Sequence, residues 1–134
     1  MSFDYLSDLF GKFRKRKTRF SEVESKAIRL INAFVERKIN DRDFANEFNE
    51  VGKVFHKLME VNGEITIDKD TPLWMNKFLG CHFVDWYKYQ QVKWYFEEHP
   101  KEAEEYKENF ARIQSMRYDE TFREACKKVL KEMK

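Results

Sequence analysis

Apolar residues recur along this chain at steps of three and four, the spacing of one face of an α-helix. Phe3, Leu6, Phe10 and Phe13 open the pattern. Gly11 weakens a helix there by about 1 kcal/mol relative to alanine. Lys12, Arg14, Lys15, Arg16, Lys17 and Arg19 then follow almost without interruption, so residues 1–20 read as an amphipathic segment running into a basic connector. Ser21 with Glu24 three places on forms a capping box and predicts a new helix start. Its inward stripe is Val23, Ala27, Leu30, Ile31 and Phe34. A further helix is expected from Asn40, with Phe44, Phe48, Val51, Phe55 and Leu58 on one face, and the two form a helical hairpin.

Asn62-Gly63 breaks the periodicity. Glu64 to Asp68 alternates polar and apolar side chains but has no evident partner strand, so a loop is expected. Thr71 is placed to cap the next helix, with Pro72 at its first position. Nine aromatic residues follow between Leu73 and Phe96: Trp74, Phe78, Phe83, Trp86, Tyr87, Tyr89, Trp94, Tyr95 and Phe96. They fall on nearly every face, and a helix apolar all round is normally buried. This helix must stop before His99-Pro100, because proline disfavours a helical residue ahead of it. Ala103, Tyr106, Phe110 and Ile113 give the next inward stripe, and Phe122, Cys126, Val129 and Met133 the last, in a helix starting near Asp119. The expected architecture is an all-α, single-domain bundle of five or six helices over residues 1–134, around the aromatic-rich helix.

Composition agrees with that class. Four glycines and two prolines in 134 residues favour long helices over a many-turned β fold. The formal net charge is only +2, but its distribution is uneven. Residues 1–20 carry six basic side chains against Asp4 and Asp8, and residues 97–108 carry six glutamates against Lys101 and Lys107. Lys77, Asp85, Lys88 and Lys93 interrupt the aromatic stretch and disfavour a transmembrane span. Cys81 and Cys126 belong to no CxxC or Cys/His cluster and read as buried free thiols, which with the absence of a leader pattern points to a cytoplasmic setting.

Candidate chemistry is sparse. His82 and Asp85, three apart, share a helix face and have the residue types of an acid–base pair, but no nucleophile is placed beside them. The plainer account is a satisfied core network in which Asp85 accepts hydrogen bonds. His56 and Glu60 are four apart without an HExxH pattern, which suits a surface pair better than a metal site. No catalytic or cofactor motif is present, so a non-enzymatic protein without a cofactor is expected. Two charged stretches remain. Lys12, Arg14, Lys15, Arg16, Lys17 and Arg19 suit phosphates of nucleic acid or an anionic membrane, or else form a solvated connector. Glu97, Glu98, Glu102, Glu104, Glu105 and Glu108 follow directly on Trp94, Tyr95 and Phe96. Acids beside aromatics suit a basic protein partner, although a solvated helix face would look the same.

The stretch Leu30–Phe55, LINAFVERKINDRDFANEFNEVGKVF, resembles bacterial immunity proteins of the colicin D type. The resemblance rests on Ile31, Phe34 and Val35 at a helix end, Lys38-Ile39 in the turn, and Phe44 and Phe48 four apart in the next helix. Asp85-Trp86-Tyr87 is similar to an Asp-x-Tyr stretch later in such proteins. Family members bind a tRNA-cleaving toxin and occlude its active site. The resemblance therefore implies an acidic face standing in for the nucleic-acid backbone, here Glu97 to Glu108, and a basic nuclease toxin domain as partner. The alternative is a small nucleic-acid-associated regulator using Lys12 to Arg19.

Overall fold

The computed structural model describes the backbone of residues 3–133 and the side chains of residues 15–133. The fold is all-α, with one two-stranded sheet of minimal length. The elements are α1 (Phe3–Val35), α2 (Asp41–Met59), β1 (Glu60–Val61), β2 (Glu64–Ile65), α3 (Leu73–Lys77), a π-helical segment (Phe78–Phe83), α4 (Val84–Glu98), α5 (Pro100–Glu105), α6 (Lys107–Gln114) and α7 (Tyr118–Glu132). They divide into two compact units, Met1–Met75 and Asn76–Lys134.

The first unit is a helical hairpin. Phe20 lies 5.7 Å from Phe55 and Phe34 lies 4.4 Å from Phe44, ring centre to ring centre, so α1 and α2 run antiparallel. Ala27, Leu30, Ile31 and Phe34 of α1 are buried with Phe44, Phe48, Val51 and Phe55 of α2, as the periodicity predicts; Val23 and Leu58 are half-buried, and Phe20 joins the core unforeseen. Each buried phenylalanine contributes roughly 2–3 kcal/mol. The turn between them closes on Arg37, whose φ is 59°. The Lys38 amide donates to the Ala33 carbonyl and the Arg37 amide to the Phe34 carbonyl, the pairing of a Schellman cap. Asn40 then caps α2 as expected: its Oδ1 accepts from the Asp43 amide at 2.8 Å.

Three expectations fail in this unit. Helix α1 is continuous from Phe3 to Val35, so there is neither a connector nor a new start at Ser21. Lysine and arginine are good helix formers, and a single glycine does not outweigh a run of them. Glu24 instead accepts a hydrogen bond from Trp74 Nε1 at 2.7 Å. The stripe Phe3, Leu6, Phe10 and Phe13 lies outside the described side chains. The segment after α2 is a β-hairpin rather than a loop, with Glu60 paired to Ile65 and Val61 to Glu64. Asn62 and Gly63, at φ 53° and 81°, supply the two left-handed residues of its tight turn.

Arg16 fastens α1 to the chain beyond this hairpin. Its Nε donates to the Leu58 carbonyl at 3.2 Å, one terminal nitrogen to the Thr66 carbonyl at 3.2 Å, and the other to the Asp68 carboxylate. The guanidinium also lies 4.7 Å over the Phe20 ring. Thr71 does not cap α3: its hydroxyl accepts from the Asp68 amide and donates to the Asp68 carboxylate, which tightens the same loop.

In the second unit the aromatic residues are buried on one side. Trp86 stacks on Phe122 of α7 at 4.6 Å, and Phe78 and Phe83 approach the same ring at 5.5 and 6.2 Å. Cys126 is buried behind Phe122 along α7. Asp119, in the first turn of α7, accepts from Trp86 Nε1 at 2.8 Å and from Gln90 Nε2. The aromatic helix is not enclosed all round, contrary to expectation. Val84 and Tyr95 are exposed, and Trp94 and Phe96 only half-buried. Helices α5 and α6 bury no residue completely, so the stripe Ala103, Tyr106, Phe110 and Ile113 gives partial cover, with Tyr106 itself 46% exposed.

Removing the Arg16 side chain leaves two backbone carbonyls and Asp68 without their donor. Arg16→Ala should lower unfolding stability by about 2 kcal/mol in urea titration, whereas Lys15→Ala on the exposed side of α1 should be near neutral. Burial pushes the Asp68 carboxyl up, but the Asp70 amide, the Arg16 guanidinium and the Thr71 hydroxyl together hold it below the usual carboxylate value. The stabilisation from Asp68 is therefore present above about pH 4 and lost as pH falls through the lower folded value. Asp68→Asn should flatten the acid limb of stability against pH; parallel curves for the two proteins would contradict this.

Candidate partner-binding face

Three backbone features build this face. Helix α4 ends at Glu98 because Pro100 follows His99, whose backbone sits at φ −131°. Pro100 starts α5, which lasts only six residues before the chain breaks again at Tyr106, at φ −106° and ψ 18°. The chain thus turns back beside the end of α4 without covering it. Between them lies an open groove of about 580 Å³, lined by Lys88, Gln91, Val92, Tyr95, Phe96, Glu102 and Tyr106.

The groove wall is aromatic. Phe96 and Tyr106 lie nearly parallel with ring centres 6.4 Å apart, and Phe110 supports Phe96 edge-on at 5.3 Å. Tyr95 is held by the His99 ring stacked on it at 4.1 Å, and His99 Nδ1 lies 2.8 Å from the Tyr95 carbonyl oxygen. The Tyr95 hydroxyl donates to Glu102 Oε2. That bond, followed by partial burial and the nearby Glu102 charge and Tyr106 hydroxyl, holds the Tyr95 phenol above its ordinary pKa.

The six glutamates do not act alike. Glu102 is half-buried and belongs to the groove. Glu97 and Glu98 at the end of α4, and Glu104, Glu105 and Glu108 beyond the groove, are exposed. Glu104 pairs with Lys107 at 3.0 Å. Glu102 and Glu108 lie in the first turns of α5 and α6, where the helix dipole favours acids. Tyr95 and Phe96 stand where the sequence reading sets aromatics beside the acids, whereas Tyr106 escaped it because it falls on a helical stripe and reads as core. The break that turns it outward has no proline or glycine to mark it.

One member of the basic run is taken up by the fold. Arg16 faces inward, only 13% exposed, and is engaged as described. Lys15 and Arg19 share one flank of α1, Lys17 lies on another, and all three are exposed. Lys12 and Arg14 lie outside the described side chains.

His82 is half-buried and Asp85 exposed, beside a cleft of about 90 Å³ shared with Cys81, Trp86, Tyr118, Thr121 and Phe122. No hydrogen bond joins the pair; His82 lies against the Phe78 ring instead, at 6.0 Å. The buried polar network centres on Asp119 and Gln90 rather than on Asp85. Gln90 sits one turn after Trp86 on the inward face, a spacing that could have identified it. His56 and Glu60 form an exposed pair at 3.7 Å, as expected. Cys81 is exposed, against expectation, because the π-helical segment turns it away from the Phe78–Phe83 side.

Among the described residues no cluster of three or more His, Cys, Asp or Glu side chains is arranged to hold a metal ion, and no helix is long and apolar enough to cross a membrane. No family model, curated protein or solved structure matches the chain.

Burial pushes the Cys126 thiol up to about 12, whereas Cys81 is open to solvent. A thiol reagent at pH 8 should therefore modify one cysteine rapidly and the second only with unfolding. Simultaneous modification of both in the native protein, or protection of both, would contradict this placement.

Proposed function

We propose that this chain is a non-enzymatic binding protein of the immunity or antitoxin kind, which neutralises a basic nuclease toxin domain in the cytoplasm. The observation that carries the reading is the groove itself. Within one short stretch, an unfilled aromatic wall lies beside five exposed glutamates and one half-buried one. Exposed aromatic anchors supply most of the energy of a protein interface, and a surrounding charged rim steers encounter and rejects partners of the wrong sign. A nuclease surface must be basic to hold a polyanionic substrate, so an acidic rim can compete for the same ground. The resemblance of Leu30–Phe55 to immunity proteins of the colicin D type also motivates the reading.

The partner is sought in the coding region beside this one. Its domain, expressed alone, should arrest growth, and this chain should restore it. Replacing Glu97, Glu98 and Glu105 together by lysine should leave the helical spectrum intact and weaken the complex by about 100-fold, chiefly through slower association at low salt. Unaltered affinity after this reversal would reject the acidic face.

A further inference from the structure

The groove beside α4 has a polarity that its apolar wall alone would not give. One end carries Lys88. Seven residues further along the same helix, about 10 Å on, the other end carries Tyr95, Glu102 and Tyr106. At that end two phenols and a carboxylate converge. The Tyr95 hydroxyl donates a hydrogen bond to Glu102 Oε2, which leaves the phenolic oxygen and Glu102 Oε1 as acceptors. Tyr106 lines the same end of the groove. Tyr95 and Tyr106 are 44% and 46% exposed; the His99 ring covers one face of Tyr95, and both tyrosines line the groove.

Acceptors and negative charge beside open π-faces select a cation. They select arginine over lysine for two reasons. A planar guanidinium stacks on an aromatic ring and sheds its water more readily than an ammonium, and its fork of N–H donors can serve a carboxylate and a phenolic oxygen at once. Lys88 is too distant to oppose a cation at the Glu102 end, and it disfavours one at its own end.

We propose that the Tyr95–Glu102–Tyr106 end of the groove is a receptor for a single arginine side chain of the protein partner. The guanidinium stacks on an aromatic ring and donates to Glu102, while the apolar stretch past Phe96, Val92 and Gln91 takes the neighbouring residues of the partner. This inference rests on the assignment of the α4–α5 face to partner binding and adds the residue type that occupies it. The exposed glutamates serve encounter; the notch serves identity.

The full-length chain, labelled with nitrogen-15, is titrated at low salt with a short peptide alternating glycine and arginine. The same peptide with citrulline, and then with lysine, replaces it in parallel experiments. Citrulline keeps the planar shape of arginine and part of its N–H donors, with a carbonyl oxygen in place of one terminal nitrogen and no charge. The expected result is saturable shifts centred on Tyr95, Phe96, Glu102 and Tyr106, with the lysine peptide about threefold weaker and the citrulline peptide about tenfold weaker. Glu102→Gln keeps an acceptor for Tyr95 and should cost about fivefold, and Tyr106→Leu, at an exposed position, about the same. Equal binding of the arginine and citrulline peptides, equal binding of the arginine and lysine peptides, or shifts confined to Glu104–Glu108 would overturn the proposal. The two ideas part company on the toxin domain. If Tyr106→Leu and Glu102→Gln leave its affinity unchanged while the Glu97, Glu98 and Glu105 reversal abolishes it, the arginine receptor is wrong and the acidic face stands. If neither set of changes matters, both are wrong.

Discussion

A proline at position 100 cannot follow a helical residue, and the candidate site depends on that constraint. It ends α4 at Glu98 while the helix still carries unburied aromatic surface. It also sets the start of α5, where Pro100 occupies a position that needs no amide donor. The second break, at Tyr106, follows after only six residues. The short helix leaves Tyr95 and Phe96 at the wall of an open groove and brings Glu102 to their side.

The same segment illustrates how charge and packing divide a surface. Asp119 shows charge turned inward, accepting from Trp86 and Gln90 and tying α4 to α7. Arg16 does the same in the first unit, between α1 and the chain beyond the β-hairpin. These two residues serve structure, and each removes a charge from the inventory of binding groups. The glutamates from Glu97 to Glu108 are put to mixed use. Glu102 accepts from Tyr95, and Glu104 meets Lys107 across one helical turn, an exposed pair worth little to stability. Glu97, Glu105 and Glu108 are exposed on the same stretch.

The helical character of the chain was legible in its periodicity, and so were several boundaries. Asn40 caps α2 through Asp43, and the helix before His99-Pro100 stops where proline requires. Both signals are local, set by a side chain acting on its own backbone. What could not be read depended on longer-range facts. The basic run read as a connector between Gly11 and a helix start at Ser21, yet α1 passes through it, with Arg16 drawn to acceptors 42 to 52 residues away. The partner strand for Glu64-Ile65 was hidden because Glu60-Val61 lies directly against a helix end. Cys81 was expected inside; a π-helical turn shifts the register of every residue it contains, and sequence carries no marker for it. In the candidate site, the glutamates were visible as a run, but which of them joins an aromatic groove depended on the unmarked break at Tyr106.

The account stands on contact between the α4–α5 groove and a basic protein. Hydrogen exchange measured on the chain alone and in complex with the neighbouring toxin domain tests it most directly. The account requires new protection across residues 88–106, strongest from Tyr95 to Tyr106, with little change at Lys15 to Arg19. Protection concentrated on α1 around Lys15, Lys17 and Arg19, with residues 88–106 exchanging as in the free chain, would contradict it.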